Sequence, residues 1–231
     1  MKSLVRALLS VVLVAAALTA RADLTIEITQ GMDNPTAIAV VPFAWQGPAA
    51  APEDIAGVVD GDLARSGQFA PVGRADMLGR PSTEAEVFYR DWRAIDTEYL
   101  LIGRVSVAGQ MRIEYELFDV LRQTRVHSGV EVGPANEARM LGHRVADAVY
   151  EKLTGIRGAF ATRLLYVSVP RVPGGKDYSR LTLADSDGAR PLVLLESREP
   201  LLAPAWSPDG TEIAYVSFET SRPAISRQDR A

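Results

Sequence analysis

The sequence predicts an α/β domain with a mixed sheet and helices, followed by an incomplete all-β propeller of about one blade. Three observations carry that expectation. Leu164-Leu165-Tyr166-Val167-Ser168 is echoed by Ile213-Ala214-Tyr215-Val216-Ser217, 49 residues further on, a spacing that suits successive four-stranded propeller blades. Trp206-Ser207-Pro208-Asp209-Gly210 introduces the second echo. From Asp23 to about Phe160 helical and strand patterns are mixed, whereas from Ala161 onward short strands alternate with Gly, Pro and Asp, which places a boundary near Gly155 to Gly158. The expected organisation is a leader over 1–22, an α/β domain over 23–160 and the start of a propeller over 161–231.

The leader carries Lys2 and Arg6, an apolar stretch from Ala7 to Leu18, and Ala20-Arg21-Ala22 with small residues where a signal peptidase reads. Cleavage is expected after Ala22, with export to the periplasm. No later run reaches the roughly 20 apolar residues a membrane-spanning helix needs. The chain has no cysteine, so no disulfide framework exists and stability rests on buried apolar surface. Its net charge is −4, and removing Lys2, Arg6 and Arg21 with the leader leaves −7. That acidity, without a basic run, argues against nucleic acid or anionic lipid and toward protein partners.

The elements follow in order. Leu24, Ile26 and Ile28 alternate with Thr25, Glu27 and Thr29, the period of a strand with one apolar face. Gly31 to Pro35 is a turn-rich link, so this segment is either the ordinary first strand of the domain or a mobile strand that pairs with another protein's sheet edge. Ala37 to Phe43 is a continuous apolar run suited to a strand covered on both faces.

Pro52-Glu53-Asp54 opens a helix through Leu63 and Ala64, with acidic residues in its first turn and Gly67 as its stop. Pro81-Ser82-Thr83-Glu84 is expected to start a second helix with Val87, Trp92 and Ile95 as its apolar stripe. Tyr99 to Val107 and Met111 to Val120 form a hairpin through Ala108-Gly109-Gln110, and Arg125 to Val132 adds a third strand. Glu137 to Leu153 is the longest helix, stopped by Gly155. Four strands follow, at Leu164–Val169, Arg180–Ala184, Pro191–Leu195 and Glu212–Phe218, with Asp187-Gly188 and Asp209-Gly210 as tight turns. Trp206 is expected to pack between blades.

Few residues invite catalysis. His127 and His143 are the two histidines; His143 and Asp147 share a helix face, but no third ligand or nucleophile has matching spacing. An imidazole near the helix surface or a domain interface is the expected outcome. Asp185-Ser186-Asp187-Gly188 resembles a calcium loop only until the twelfth position, which falls on Leu194, so a hairpin turn is favoured. No G-x-S-x-G elbow or phosphate-binding Gly-Lys-Ser/Thr loop occurs. No catalytic residue, cofactor or metal is assigned.

The ordered set of motifs resembles one family. Pro35-x-x-Ile38-Ala39-Val40-Val41-Pro42-Phe43 is followed by Asp62-Leu63-x-x-Ser66-Gly67-x-Phe69, and by Ala146-Asp147 with Gly155-x-x-Gly158-x-Phe160-x-Thr162-Arg163. Tyr166-Val167 and Trp206-Ser207-Pro208-Asp209-Gly210-x-x-Ile213-Ala214-Tyr215-Val216-Ser217-Phe218-Glu219 continue the likeness, which is to the TolB proteins of the bacterial Tol-Pal envelope system.

The resemblance implies an α/β domain before a six-bladed propeller, no enzymatic activity, and a periplasmic scaffold that maintains outer-membrane integrity and supports cell division. It further implies that the TolA C-terminal domain binds the N-terminal strand, here Asp23, Leu24, Thr25, Ile26, Glu27, Ile28, Thr29, Gln30 and Gly31, and that the lipoprotein Pal binds the propeller. Where the family runs through five more blades, this sequence ends at Ala231. Most of the Pal surface is therefore expected to be missing, and the portion from Ala161 to be poorly ordered or aggregation-prone, since a single blade exposes its faces and sheet edges. A propeller-bearing serine peptidase is the alternative, since its blades share the Ser-Pro-Asp-Gly element; a free-standing ligand-binding domain is a weaker one.

Overall fold

A computed structural model describes residues 34–47, 50–171 and 177–229. The expected leader and the Asp23–Gly31 strand lie outside the described residues. The sheet of the α/β part is built from β1 (Thr36–Val40), β2 (Ala44–Trp45), β3 (Phe69–Pro71), β4 (Tyr99–Ala108), β5 (Gln110–Asp119) and β6 (Thr124–Gly133). Its order is β3-β1-β4-β5-β6, with β2 beside β4; β1 runs parallel to β3 and β4, and β4, β5 and β6 form an antiparallel meander.

The apolar run at β1 sits inside this sheet because both of its faces are covered. Ile38 and Val40 enter one core, with Leu101, Ile113 and Leu117 against helices α1 (Ile55–Arg65) and α3 (Ala138–Thr154). Ala39 and Val41 enter a second core with Leu100, Ile102, Phe118 and Trp92. The second face is covered at one end alone: along β5 buried Met111, Ile113, Tyr115 and Leu117 alternate with Arg112, Glu114 and Glu116, and Phe118 begins the doubly covered stretch. On the open face Arg104 and Arg112 pair with Glu114 at 3.0 and 2.9 Å.

Helix α1 starts one step later than its acidic residues. Asp54 is the N-cap and its carboxylate accepts from the Gly57 amide at 3.0 Å, so Glu53 and Asp54 precede the first turn, which holds no acid. The expected helix from Pro81 is replaced by a 3-10 turn at Glu84–Glu86 and a short helix α2 (Tyr89–Arg93). The Glu86 carboxylate accepts from the Ser82 amide at 2.7 Å and the Thr83 amide at 3.3 Å, closing one turn, after which Val87 is extended. Buried Trp92 anchors the second piece. The hairpin and the long helix fall where expected, with Gly109 at φ 78° and Gly155 at φ 74°.

Among the described residues six strands follow where four were expected: β7 (Arg163–Ser168), β8 (Ser179–Asp185), β9 (Leu192–Ser197), β10 (Leu201–Trp206), β11 (Glu212–Ser217) and β12 (Ala224–Asp229). They form two three-stranded antiparallel sheets, β7-β8-β9 and β10-β11-β12. Gly188 at φ 81° and Gly210 at φ 69° occupy the turns assigned to them. Leu181 of the first sheet and Leu201, Ile213 and Tyr215 of the second share a small core, against which Trp206 packs.

Candidate functional site at the domain junction

The α/β part and the first propeller sheet meet at a buried cluster of charge. Helix α3 supplies His143, α1 supplies Asp62, and the β8 end and the turn after it supply Asp185 and Asp187. Helices α1 and α3 come close because Gly142 lies against Val58, where an added Cβ would stand 3.1 Å from Val58 Cγ1. This brings His143 Nδ1 to 2.6 Å from Asp62 Oδ2, with both side chains at 0% exposure. Since a carboxylate only accepts, Nδ1–H donates and the ring orientation is set.

Three guanidiniums pair with these acids. Arg190 grips Asp185 through Nε and Nη2 at 2.8 and 3.0 Å. Arg139 Nη2 pairs with Asp187 Oδ2, and Arg65 pairs with Asp62 and approaches Asp187 at 3.7 Å. Burial raises the Asp187 carboxyl's proton affinity, but the Ala189 amide and the Arg139 guanidinium outweigh it and hold the group below its usual range. The junction is thus a salt-bridge network tying two helices of one domain to a hairpin of the next.

A second contact fastens the connector. Asp147 does not pair with His143, four residues before it; its carboxylate accepts from the Phe160 amide at 2.6 Å and the Ala161 amide at 3.0 Å. The Phe160 ring stacks edge-on to Tyr150, centroids 5.5 Å apart, and Tyr150 meets Phe69 in the same way at 6.1 Å. The Ser186 hydroxyl donates to the Phe160 carbonyl, so the connector is held from both sides.

His143 is therefore at the domain interface, one of the two places expected, and is fully buried instead of lying near the helix surface. His127 sits apart on β6 beside Tyr115, ring centroids 5.8 Å apart, and burial together with nearby Lys152 lowers its proton affinity. Asp185-Ser186-Asp187-Gly188 is a hairpin turn, as expected. His143, Asp185 and Asp187 do carry donor atoms within 4.8 Å of one another, but Arg139 and Arg190 already engage both carboxylates. Asp62 stood out in the sequence only as one position of a family motif, not as a partner of His143, and Arg65, Arg139 and Arg190 carried no signal there. Asp62 stands 81 residues from His143, and no local pattern links them.

An α/β domain joined by a pinned connector to antiparallel blade sheets defines a two-part, propeller-bearing protein. Residues 24–126 match the family model for the TolB amino-terminal domain, and residues 150–230 match that for the TolB beta propeller domain. The Tol-Pal system protein TolB of Pseudomonas fluorescens (strain SBW25) is 45% identical over 228 residues, covering 97% of this chain and 52% of the relative. That of Marinomonas sp. (strain MWYL1) is 50% identical over 219 residues, covering 92% and 50%. The crystal structure of TolB from Acinetobacter baumannii superposes with a TM-score of 0.74 at 36% identity, covering 89% of this chain and 49% of that one. The chain belongs to the TolB family, and it spans about half the length of the curated relatives it matches.

Proposed function

We propose that this chain is a non-enzymatic periplasmic scaffold of the Tol-Pal system, exported by a leader cleaved after Ala22. The segment Asp23–Gly31 offers an extended strand to the TolA C-terminal domain, and the propeller portion belongs to the surface that meets the Pal lipoprotein. Through these contacts it maintains outer-membrane integrity and supports cell division.

The observation that supports this reading most is the paired match, in order, to the TolB amino-terminal and propeller families. The relatives' shared designation as Tol-Pal system proteins agrees with it. Among the described residues no helix is long and apolar enough to cross a membrane. In the proposed TolA-binding segment the sequence alternates Leu24, Ile26 and Ile28 with Thr25, Glu27 and Thr29, a pattern that supports strand addition in which main-chain hydrogen bonds set affinity and the apolar side chains set register.

The test is titration of the chain starting at Asp23 with the TolA C-terminal domain and, separately, with Pal, beside a double variant Ile26→Asp, Ile28→Asp. Binding to TolA that the variant loses is the expected result. A chain that is folded by circular dichroism yet does not bind TolA overturns the strand assignment.

A further inference from the structure

We propose that His143 is a proton-dependent tie between the α/β domain and the first propeller hairpin: as an imidazolium it holds Asp62 within its own domain and Asp185 across the junction. The geometry sets this out on both ring nitrogens. Nδ1 is bound to Asp62 at 2.6 Å, while Nε2 is buried, has no hydrogen-bond partner, and faces Asp185 Oδ2 at 3.9 Å. A neutral ring turns its Nε2 lone pair toward that carboxylate oxygen, acceptor against acceptor. A second proton converts the same contact into a charge-assisted attraction.

The ring's carboxylate partners belong to a wider charged network. Helix α1 brings Asp62 and Arg65, α3 brings Arg139, and the segment before α1 brings Glu53, which pairs with Arg139 at 3.4 Å. The hairpin brings Asp185, Asp187 and Arg190. Four carboxylates thus stand against three guanidiniums, and one positive charge on His143 closes the balance. A divalent metal ion fits less well, because it would sit among three guanidiniums and compete for carboxylates that Arg139 and Arg190 already hold.

The sign follows from the partners. Because the folded junction supplies two carboxylates to the protonated ring, the tie is present in acid and is lost as the ring gives up its second proton. Acid therefore fastens the two parts and alkali loosens them.

The experiment is hydrogen exchange of the Ser179–Asp185 amides, corrected for intrinsic rates, at about pH 5 and about pH 8, for the whole chain, His143→Gln and His127→Gln. Protection in the unmodified chain and in His127→Gln should fall on the order of tenfold from acid to alkali, with His143→Gln nearly flat. Equal pH responses in all three proteins, or a response lost only with His127→Gln, overturns the proposal. Nitrogen NMR of the His143 ring covers the case in which His143→Gln does not fold: protons on both nitrogens at about pH 5 support the tie, and a single N–H throughout overturns it. Zinc that protects the unmodified chain but not His143→Gln would assign the cluster to a metal and also overturn it.

Discussion

Gly158 lies so close to Asp147 that a Cβ added to it would stand 2.4 Å from Asp147 Oδ1 and 2.6 Å from Asp147 Cα. The contact is steric, and because it includes the backbone Cα of Asp147, no side-chain rotation relieves it. Glycine is what lets the connector lie on α3 with the Phe160 and Ala161 amides inside the reach of one carboxylate. Gly158→Ala is therefore expected to cost about 1–3 kcal/mol, as overpacking does elsewhere. Urea unfolding of the two proteins checks it, and an unchanged midpoint would mean the connector can lift away freely.

Asp62 is the partner that fixes His143. Asp62→Ala strands a buried imidazole N–H and frees Arg65 from its acid, so stability should fall by about 3 kcal/mol or more. Thermal unfolding followed by circular dichroism measures the loss. A cost under about 1 kcal/mol would show that water or a neighbour replaces the carboxylate.

Asp209 makes a pH-dependent turn. Hydrogen bonds from the Ser207 hydroxyl, then from the Thr211 amide and hydroxyl, hold its carboxyl down to about 2, from an ordinary 3.8. A group lowered in the folded state adds stability above its ordinary value and loses it as pH falls through the folded one. The turn between β10 and β11 should thus stay intact at mild acidity and loosen toward pH 2. Carbon NMR titration of the Asp209 carboxyl reads the midpoint, and one near 3.8 would mean the three hydrogen bonds do not persist in solution.

The two parts should also open unequally. The α/β core buries helices on a six-stranded sheet, whereas the two blade sheets share a core of Leu181, Leu201, Ile213 and Tyr215 and leave Leu164, Leu192, Val193, Leu202 and Ile225 substantially exposed. Limited proteolysis followed by mass spectrometry should remove sequence after Arg163 before it cuts within the α/β part. Cleavage first between β4 and β6 would reverse that ranking.

The residues show where sequence reading succeeds and where it stops. Strand β1 (Thr36–Val40) was legible because the continuous apolar run from Ala37 to Phe43 suits a strand covered on both faces, although the strand ends at Val40, and Gly109 and Gly155 were legible because turn and helix-stop chemistry is local. Strand β10 escaped notice because Pro204 and a bulge between Leu202 and Ala205 interrupt its alternation, with Ala203 at φ 48°. Strand β12 carries Ser226, Arg227 and Gln228 at its centre, and only pairing with β11 makes it a strand. The helix expected from Pro81 failed because the Glu86 carboxylate closes a single turn, and buried Trp92 then fixes the next piece separately.

By itself the sequence determined the family, the division into mixed α/β and all-β portions, and most strands and helices, since periodicity, capping and turn residues act within a few positions of one another. Tertiary structure alone decided that His143 meets Asp62 and faces Asp185 instead of pairing with Asp147. Those partners come together only when α1, α3 and the β8–β9 hairpin pack, and packing over such separations depends on the whole core, which no local pattern encodes.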